Sequence, residues 1–299
     1  MSLYVNKLRY NESVPVFGKS AGTHYGKMYY GDTNILGVEN VQPINYEAEY
    51  FTVTNLESTS ITVDFRTYTG TSYLSKIAYM KSTENTWTEI IRNATTMDTM
   101  VTLGVGESVK FKGQGTQWQN SPYPVRYANR ANIDATGRFA VSGNLWSLLY
   151  WDSFYGANIY YSKGDMWSCL FQSKSSSQPN HCADAYNLVI EPQGISISAG
   201  GAFSRLFQDN PYLTRSPLLN YKSLVTYQYW EMFNNCTSLE EVRCLATTNI
   251  NTSNSTGGDQ GGWMAGAKSG GTFYKDPTAT WPRANNGIPT SWTAVDYTE

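Results

Sequence analysis

The sequence predicts a mainly β fold with short helices, in which an N-terminal antiparallel β-sandwich of the jelly-roll or Ig-like type precedes a stack of short repeated units. Two observations predict it. Apolar and polar residues alternate within residues 46–118, and a triplet of large apolar residues recurs four times after residue 135. The predicted organisation is a docking segment at 1–45, the sandwich at 46–118, a linker at 119–134, and a repeat region with a C-terminal cap at 135–299.

The sandwich is predicted from period-two segments, which are typical of strands with one buried face. These segments are Phe51–Val53, Ile61–Phe65, Ile77–Tyr79, Trp87–Ile90 and Val109–Phe111. Turn-rich stretches separate them at intervals of about ten residues, an interval that favours an antiparallel sandwich or barrel.

The two flanking segments lack such a pattern. Residues 1–45 carry several glycine turn signals between short β-prone pieces, and they are too few to enclose a core of their own. We therefore expect this segment to dock on another surface. Residues 119–134 are rich in Gly, Pro, Asn and Gln, and Pro122 and Pro124 disfavour a helix there.

The repeat region is predicted from the spacing i, i+3 and i+4 of large apolar residues. The four triplets are Leu145/Leu148/Leu149, Trp167/Leu170/Phe171, Phe203/Leu206/Phe207 and Tyr229/Met232/Phe233. This spacing places three side chains on one face of a helix of one or two turns, which is stable only when a neighbour covers that face. The last residues of the triplets are 22, 36 and 26 positions apart, and the polar insert Ser173–His181 accounts for the long interval.

Two copies share further positions beyond the triplet. Phe207 and Phe233 are each followed by a polar turn and by a leucine six positions on, at Leu213 and Leu239. A second leucine lies six positions further in both copies, at residues 219 and 245. The matched offsets predict a repeat of helix, turn and strand.

The segment Tyr229-Trp-Glu-Met-Phe-Asn-Asn-Cys-Thr-Ser-Leu239 resembles the units of BspA-like leucine-rich-repeat proteins, which are common in Bacteroides and their phages. Those units have the form aromatic-x-x-Met-Phe-x-x-Cys-x-Ser-Leu. Residues 139–149, 271–281 and 287–293 look similar to flanking segments of gut-phage tail and appendage proteins, and residues 77–88 resemble the sandwich that precedes such repeats. The resemblance covers about residues 46–299 and implies a short, irregular leucine-rich-repeat-like solenoid after the sandwich.

For function, the resemblance implies a structural protein of a phage virion, a tail or fibre appendage that contributes to attachment to host surface glycan or capsule. The alternatives are a purely architectural virion protein, as a tail or head decoration, and a bacterial cell-surface adhesin. The first residues show no export-signal pattern, which favours the virion, assembled in the host cytoplasm, over the cell surface. Expected partners are other virion proteins through residues 1–45. Oligomeric state stays open, with a trimer expected for a fibre.

Composition and charge exclude two classes of partner, nucleic acid and membrane. The net charge is −2, charged residues make up 15% of the chain, and Lys and Arg are dispersed, so we expect no nucleic-acid partner. The longest strongly apolar run, Leu145–Trp151, is far below the roughly 20 residues that cross a bilayer, so we expect no membrane insertion. Aromatic residues reach 14%, which predicts a neutral surface rich in rings and hydroxyl groups.

No residue pattern predicts catalysis. His24 and His181 lie in polar, turn-rich stretches with nothing evident to fix either ring, and no motif selects a pair among the acids. A dyad of His181 with the adjacent Cys182 is disfavoured because neighbouring loop residues rarely hold the required geometry. We therefore expect no enzymatic activity and no catalytic residue.

We also expect no cofactor and no metal. The four cysteines, at 169, 182, 236 and 244, lack zinc-ligand spacing. We expect them to be reduced and buried, with a disulfide between Cys236 and Cys244 as the alternative.

Two places are candidates for binding. The run 150–161 contains Trp151, Tyr155, Tyr160 and Tyr161, and aromatic faces beside amide and hydroxyl groups suit sugar stacking. The alternative is that rings of this run only seal the junction of the sandwich with the repeats. The second candidate is the insert that ends at His181, since insertions in stacked repeats form loops on one face; the alternative is a neutral solvated loop.

Overall fold

The computed structural model describes residues 44–68, 72–90, 96–118, 132–156, 159–161, 167–198, 200–250, 262–284 and 287–298, and the backbone of three short strands before them. The chain forms two compact units, Met1–Asn45 and Tyr46–Glu299. In the first unit the described strands form an antiparallel sheet in the order β1-β2-β3. These strands are β1 (Arg9–Tyr10), β2 (Met28–Tyr30) and β3 (Thr33–Asn34). Docking through this unit stays a prediction, and His24 lies outside the described residues.

Strands dominate the second unit, so the prediction of a mainly β fold is confirmed. Its strands are β4 (Phe51–Asn55), β5 (Ile61–Tyr68), β6 (Ser72–Lys81), β7 (Thr88–Glu89), β8 (Thr96–Leu103), β9 (Ser108–Trp118), β10 (Asn132–Ala135), β11 (Phe139–Asn144), β12 (Ile159–Tyr161), β13 (Cys182–Val189), β14 (Ile195–Ile197), β15 (Arg215–Leu219), β16 (Glu241–Cys244), β17 (Thr272–Lys275) and β18 (Thr293–Asp296). Ten of them form one mixed sheet in the order β18-β17-β16-β15-β13-β11-β4-β9-β6-β7, and two smaller sheets have the orders β10-β5-β8 and β12-β14.

The antiparallel part of the large sheet packs against the small sheet β10-β5-β8. Along β5 the side chains of Ile61, Val63 and Phe65 are buried while those between them are half-buried. Phe65 stacks on Phe111 of β9 with ring centroids 4.8 Å apart, which joins the two sheets. The period-two pattern therefore predicted these strands correctly. The predicted strand at 87–90 is shorter, as the exposed edge strand β7, and the described part of the predicted linker lies in β10.

The large sheet changes from antiparallel to parallel at β11. This strand pairs antiparallel with β4 on one side and parallel with β13 on the other. Strands β15, β16, β17 and β18 then follow in sequence order, each parallel to the one before. Parallel neighbours need a crossover connection, so each added strand brings one further segment across the same side of the sheet.

Four of these connecting segments are chains of successive β-turns, which we call turn ribbons: residues 167–171, 201–209, 226–235 and 263–266. Within a ribbon, alternate N–H groups donate to the carbonyl three residues earlier, as Leu206 does to Phe203 at 3.3 Å. The N–H groups between them donate to the next ribbon, as Phe207 does to Met232 at 3.1 Å. Each ribbon is therefore hydrogen-bonded along its length to its neighbour.

Short helices were predicted at all four triplets, and the structure forms one at the first. This helix, α1 (Ser147–Tyr150), contains Leu148 and Leu149 and continues into a 3-10 turn, Trp151–Ser153. For the other three triplets the helix prediction is wrong, because an α-helix would use every N–H internally and leave none for the neighbouring ribbon. The predicted burial is confirmed, since the side chains of all four triplets are buried.

A column of stacked aromatic rings runs through the second unit. Phe51 of β4 contacts Phe171 with centroids 6.2 Å apart, Phe171 stacks on Phe207 at 5.3 Å, and Phe207 stacks on Phe233 at 5.8 Å. Trp263 lies against Phe233 at 5.8 Å and begins a ribbon that the triplet search missed. These distances are those of favourable ring pairs. The spacings 36 and 26 thus place equivalent rings in register.

The carboxyl group of Glu191, which follows β13, is buried inside the second unit. It accepts hydrogen bonds from the backbone N–H groups of Asn220 and Tyr221, from the Tyr229 hydroxyl and from the Gln228 amide at 3.4 Å. Burial raises the pKa of Glu191 to about 7, against the opposite effect of these hydrogen bonds. No pattern in the sequence points to this residue.

The four cysteines are free thiols and buried, as predicted, and Cys236 and Cys244 are not joined. Burial raises the pKa of the Cys182 thiol well above its usual value, so a thiolate beside His181 is disfavoured. Among the described residues, no helix has the length and apolar character to span a membrane.

Substitution Phe207→Ala should destabilise the protein by about 3–5 kcal/mol, because it removes a ring held between Phe171 and Phe233 and leaves a cavity. Urea unfolding followed by circular dichroism measures the change. The control Met100→Ala removes a side chain that is 69% exposed and should stay within about 0.5 kcal/mol of wild type. A loss below about 1 kcal/mol for Phe207→Ala would contradict a central place for the ring column.

Substitution Glu191→Gln should change how stability depends on pH. The folded pKa of Glu191 lies above its unfolded value, so its contribution is complete below about pH 4.5 and declines as pH rises to about 7. The difference in free energy of unfolding, variant minus wild type, should therefore increase between about pH 4.5 and pH 7 by on the order of 3 kcal/mol. Above about pH 7 it should stay constant. Urea unfolding at pH 4.5, 6 and 8 measures the difference, with the exposed Glu84→Gln as control. A difference that is constant with pH would contradict the shift.

Candidate functional site

The two predicted binding candidates lie on different elements of the second unit. Trp151 directly follows α1, and Tyr155 lies two residues after the 3-10 turn Trp151–Ser153 and is 55% exposed. Tyr160 and Tyr161 belong to strand β12, which pairs in parallel with β14, and their side chains lie outside the described structure. His181 lies at the end of the insert, directly before β13. A role of these residues in binding stays a prediction.

Trp151 is part of a group of rings around one lysine, which we call the lysine cage: Tyr50, Trp87, Trp151 and Asp152 around Lys112. The Lys112 Nζ lies 4.3 Å from the ring centroid of Trp151, 4.4 Å from that of Trp87 and 5.8 Å from that of Tyr50. The side chain of Lys112 is only 7% exposed. The rings replace water around the ammonium group, which is the geometry of a cation–π interaction.

The carboxylate of Asp152 neutralises the caged charge. It contacts Lys112 Nζ at 2.8 and 3.1 Å and accepts a hydrogen bond of 2.6 Å from the Tyr50 hydroxyl. Partial burial works to raise the pKa of Asp152, but the hydrogen bonds from Lys112 and Tyr50 hold it below its usual value. Burial raises the pKa of Tyr50, and the bond to Asp152 adds to this effect. The charges of Lys112 and Asp152 in the cage thus neutralise each other.

The cage joins the first connecting segment to the sheet. Lys112 belongs to β9, and Trp151 and Asp152 follow α1. Lys76 of β6 also lies over the Trp151 ring, with its Nζ 4.6 Å from the centroid. These contacts favour the sealing of a junction, the alternative that the sequence left open for Trp151, because two lysines already use the ring on which a sugar would stack.

His181 is fixed in place, contrary to the expectation of an unsupported loop residue. Its Nδ1 lies 3.1 Å from Asp134 Oδ1, its backbone N–H donates to the same oxygen at 2.9 Å, and its ring stacks on Tyr212 at 5.2 Å. The sequence gives no signal for this contact because Asp134 lies in the predicted linker, far away along the chain. The ring of His181 thus anchors the end of the insert to β10.

The insert forms a small hairpin. Ser175 and Gln178 make an antiparallel bridge, and the Lys174 N–H donates to the Gln178 carbonyl at 3.0 Å. The Ser173 hydroxyl closes the base, since it donates to the Asp209 carbonyl at 2.5 Å and accepts from the Asn180 N–H at 2.8 Å. The insert is therefore an ordered element attached to the second turn ribbon.

Between this hairpin and the ends of two turn ribbons lies an open cleft of about 390 Å³, which we call the insert cleft. The hairpin side is lined by Ser173, Lys174, Ser175, Ser176 and Pro179. The ribbon side is lined by Asp209, Pro211, Asn235 and Thr237. The cleft carries hydroxyl, amide, carboxylate and ammonium groups together with two proline rings.

Asp209 and Asn235 give the ribbon side its fixed geometry. Both have left-handed backbone angles, with φ of 59° and 56°, and they lie at equivalent positions of neighbouring ribbons. Asn235 Nδ2 donates to Asp209 Oδ1 at 2.8 Å. Neither residue was predicted as a site residue, although the matched polar turns after Phe207 and Phe233 place the two at equivalent positions.

Substitution Lys112→Met should destabilise the protein by about 1–3 kcal/mol, because it removes the cation from three rings and leaves Asp152 without its ion-pair partner. Urea unfolding followed by tryptophan fluorescence measures the loss. The control Lys110→Met breaks an ion pair with Glu49 whose side chains are 37% and 44% exposed, and it should cost less than about 1 kcal/mol. Equal losses in both variants would contradict a special role of the cage.

The insert cleft brings several polar groups together, and the lysine cage joins β9 to the segment after α1. Among the described residues, no three His, Cys, Asp or Glu side chains are grouped as metal ligands would be. No family model, no curated protein and no solved structure matches the chain. Its function is therefore argued from its own residues and their geometry.

Proposed function

We propose that the protein is a structural component of a phage virion, a tail or fibre appendage that contributes to attachment to glycan or capsule on the host surface. The observation that carries the proposal is the unit Tyr229–Leu239, which resembles a BspA-like repeat and occupies a turn ribbon stacked between two others. Its aromatic, Met, Phe, Cys and Leu positions are all buried in that stack. Burial of these repeat positions in the stack supports the proposal.

The architecture that we propose is a β-sandwich of jelly-roll or Ig-like type that continues into a short, irregular leucine-rich-repeat-like solenoid. The proposal is supported by strands β13 to β18, which run parallel with one connecting segment per strand. It is also supported by Leu213 and Leu239, which are buried just before β15 and β16. Trp281 and Trp292, both buried near the end of the chain, are suited to the predicted C-terminal cap.

Attachment is supported by the kind of surface that such a stack offers. Successive ribbons present their polar turns along one edge, so a ligand meets several preorganised groups rather than one flexible loop. The net charge of −2 and the low charged fraction suit a neutral glycan better than a charged polymer. The division of the chain into the units Met1–Asn45 and Tyr46–Glu299 suits the proposed docking of the first unit to another virion protein.

Immunogold electron microscopy of particles from cultures that carry this sequence tests the proposal. We expect gold label on a tail or fibre, and we expect the soluble full chain to reduce adsorption of the particles to host cells. Cells treated with periodate, which oxidises surface glycans, serve as the control and should no longer bind the soluble chain. Label on the virion without binding to cells would favour an architectural protein, and label on the bacterial surface alone would favour an adhesin; either result would overturn the attachment proposal.

A further inference from the structure

The insert cleft combines fixed walls with polar atoms that the protein itself leaves unused. Asp209 has one carboxylate oxygen, Oδ1, bound to Asn235, and within the described residues its Oδ2 accepts no hydrogen bond. The backbone N–H of Asp209 donates to the Asn234 carbonyl at 2.8 Å, so its main chain is held by the neighbouring ribbon. One oxygen thus fixes the carboxylate and the other is available to a ligand.

Asn235 is held equally firmly. Its N–H donates to the Ala265 carbonyl at 2.7 Å. A Cβ atom at position 266 would lie 2.3 Å from the Asn235 side-chain oxygen. Gly266 has no Cβ and therefore leaves room for the amide. The pair Asp209 and Asn235 is therefore preorganised before any ligand arrives, which reduces the entropy lost on binding.

The opposite wall supplies donors. Within the described structure, the Lys174 ammonium group forms no ion pair. The Ser176 hydroxyl on the same hairpin side is exposed, and the exposed Thr237 hydroxyl lines the cleft from the ribbon side. Lys174 is half-buried beside the hairpin bridge, so its position is set by the ordered insert. The cleft thus presents a carboxylate oxygen on the ribbon side, an ammonium group on the hairpin side, and hydroxyl groups on both.

The balance of charge and rings selects the class of ligand. One ammonium and one carboxylate line the cleft, so a phosphate or sulfate group near Lys174 would also meet the charge of Asp209. No aromatic side chain of the described residues lines it, which disfavours a nucleobase, and the two proline rings are too little apolar surface for a lipid or an apolar peptide. A ligand with many neutral hydroxyl groups matches both walls.

We infer that the insert cleft binds a neutral saccharide of one or two sugar units, with adjacent hydroxyl groups donating to Asp209 and further hydroxyl groups accepting from Lys174. Its volume of about 390 Å³ lies at the lower end of small-molecule sites, which suits one or two rings. The cleft is open, and no aromatic ring of the described residues lines it for a sugar to stack on. A single site should therefore bind weakly, with a Kd of about 1 mM. The inference rests on the proposed function only for the biological role of this binding.

Saturation-transfer difference NMR of the full chain with lactose, cellobiose, maltose and mannobiose tests the inference, with glucuronic acid and sialyllactose as the anionic arm. We expect one or more of the neutral disaccharides to bind. Asp209→Asn should weaken binding about tenfold, because the amide keeps the bond from Asn235 but replaces the unused oxygen acceptor with a donor. Lys174→Met should weaken binding as well. The control Asp296→Asn removes an exposed carboxylate on strand β18 and should leave binding unchanged.

Each outcome decides the inference. Absence of binding by any neutral sugar, preference for the anionic sugars, or binding that both cleft variants leave unchanged would overturn it. Should Asp209→Asn fail to fold, as judged by thermal unfolding, Lys174→Met on the hairpin still decides, because its side chain supports no described ion pair. If the chain binds sugar but not host cells, the attachment proposal is overturned and the inference about the cleft is not. If the chain binds host cells, the Lys174→Met variant still binds them and no sugar is bound, the inference about the cleft is overturned and the attachment proposal is not.

Discussion

The structure depends on hydrogen bonds that a turn ribbon cannot make by itself. In the ribbons 167–171 and 201–209 only alternate N–H groups find a carbonyl three residues earlier, and those between them donate to the next ribbon, as Phe233 and Asn235 of the third ribbon also do. Every fourth residue also takes a left-handed backbone conformation, as Tyr227, Glu231 and Asn235 do, at roughly 1–3 kcal/mol each for residues other than glycine. An isolated ribbon would carry this strain with half of its donors unpaired. Ribbons are therefore stable only as a stack, and the column of rings between them supplies the burial that holds the stack together.

The same requirement explains how the antiparallel and parallel parts are joined. A stack needs a first surface on which to form, and β11 supplies it by pairing with β4 on one edge and β13 on the other. Phe51 of β4 contacts Phe171 of the first turn ribbon, so the core passes from one part to the other without interruption. The lysine cage closes the same junction from outside, where β9 meets the segment after α1. The antiparallel strands thus act as the initial surface for the ribbons.

Sequence reasoning found the register of the stack but not the conformation of its parts. The spacing of Phe171, Phe207 and Phe233 specified which rings meet, since burial of large apolar residues at a fixed interval is a strong signal. Helices and turn ribbons both place i, i+3 and i+4 on one side, so the triplets could not distinguish them. The ribbon at Trp263 was missed because the two positions that complete its triplet are small residues, Gly266 and Ala267.

The polar sites were harder to predict because their partners are distant along the chain. Lys112 lies 40 residues before Asp152, and no local pattern connects them. Asp134 and His181, 47 residues apart, meet only because β10 and the end of the insert are adjacent in the fold. Asp209 and Asn235 differ from these pairs, since their separation of 26 residues equals the spacing of the rings. An alignment of the ribbons by their rings would therefore have brought this pair together, which indicates that the register that builds the core also positions the polar edge where the insert forms its cleft.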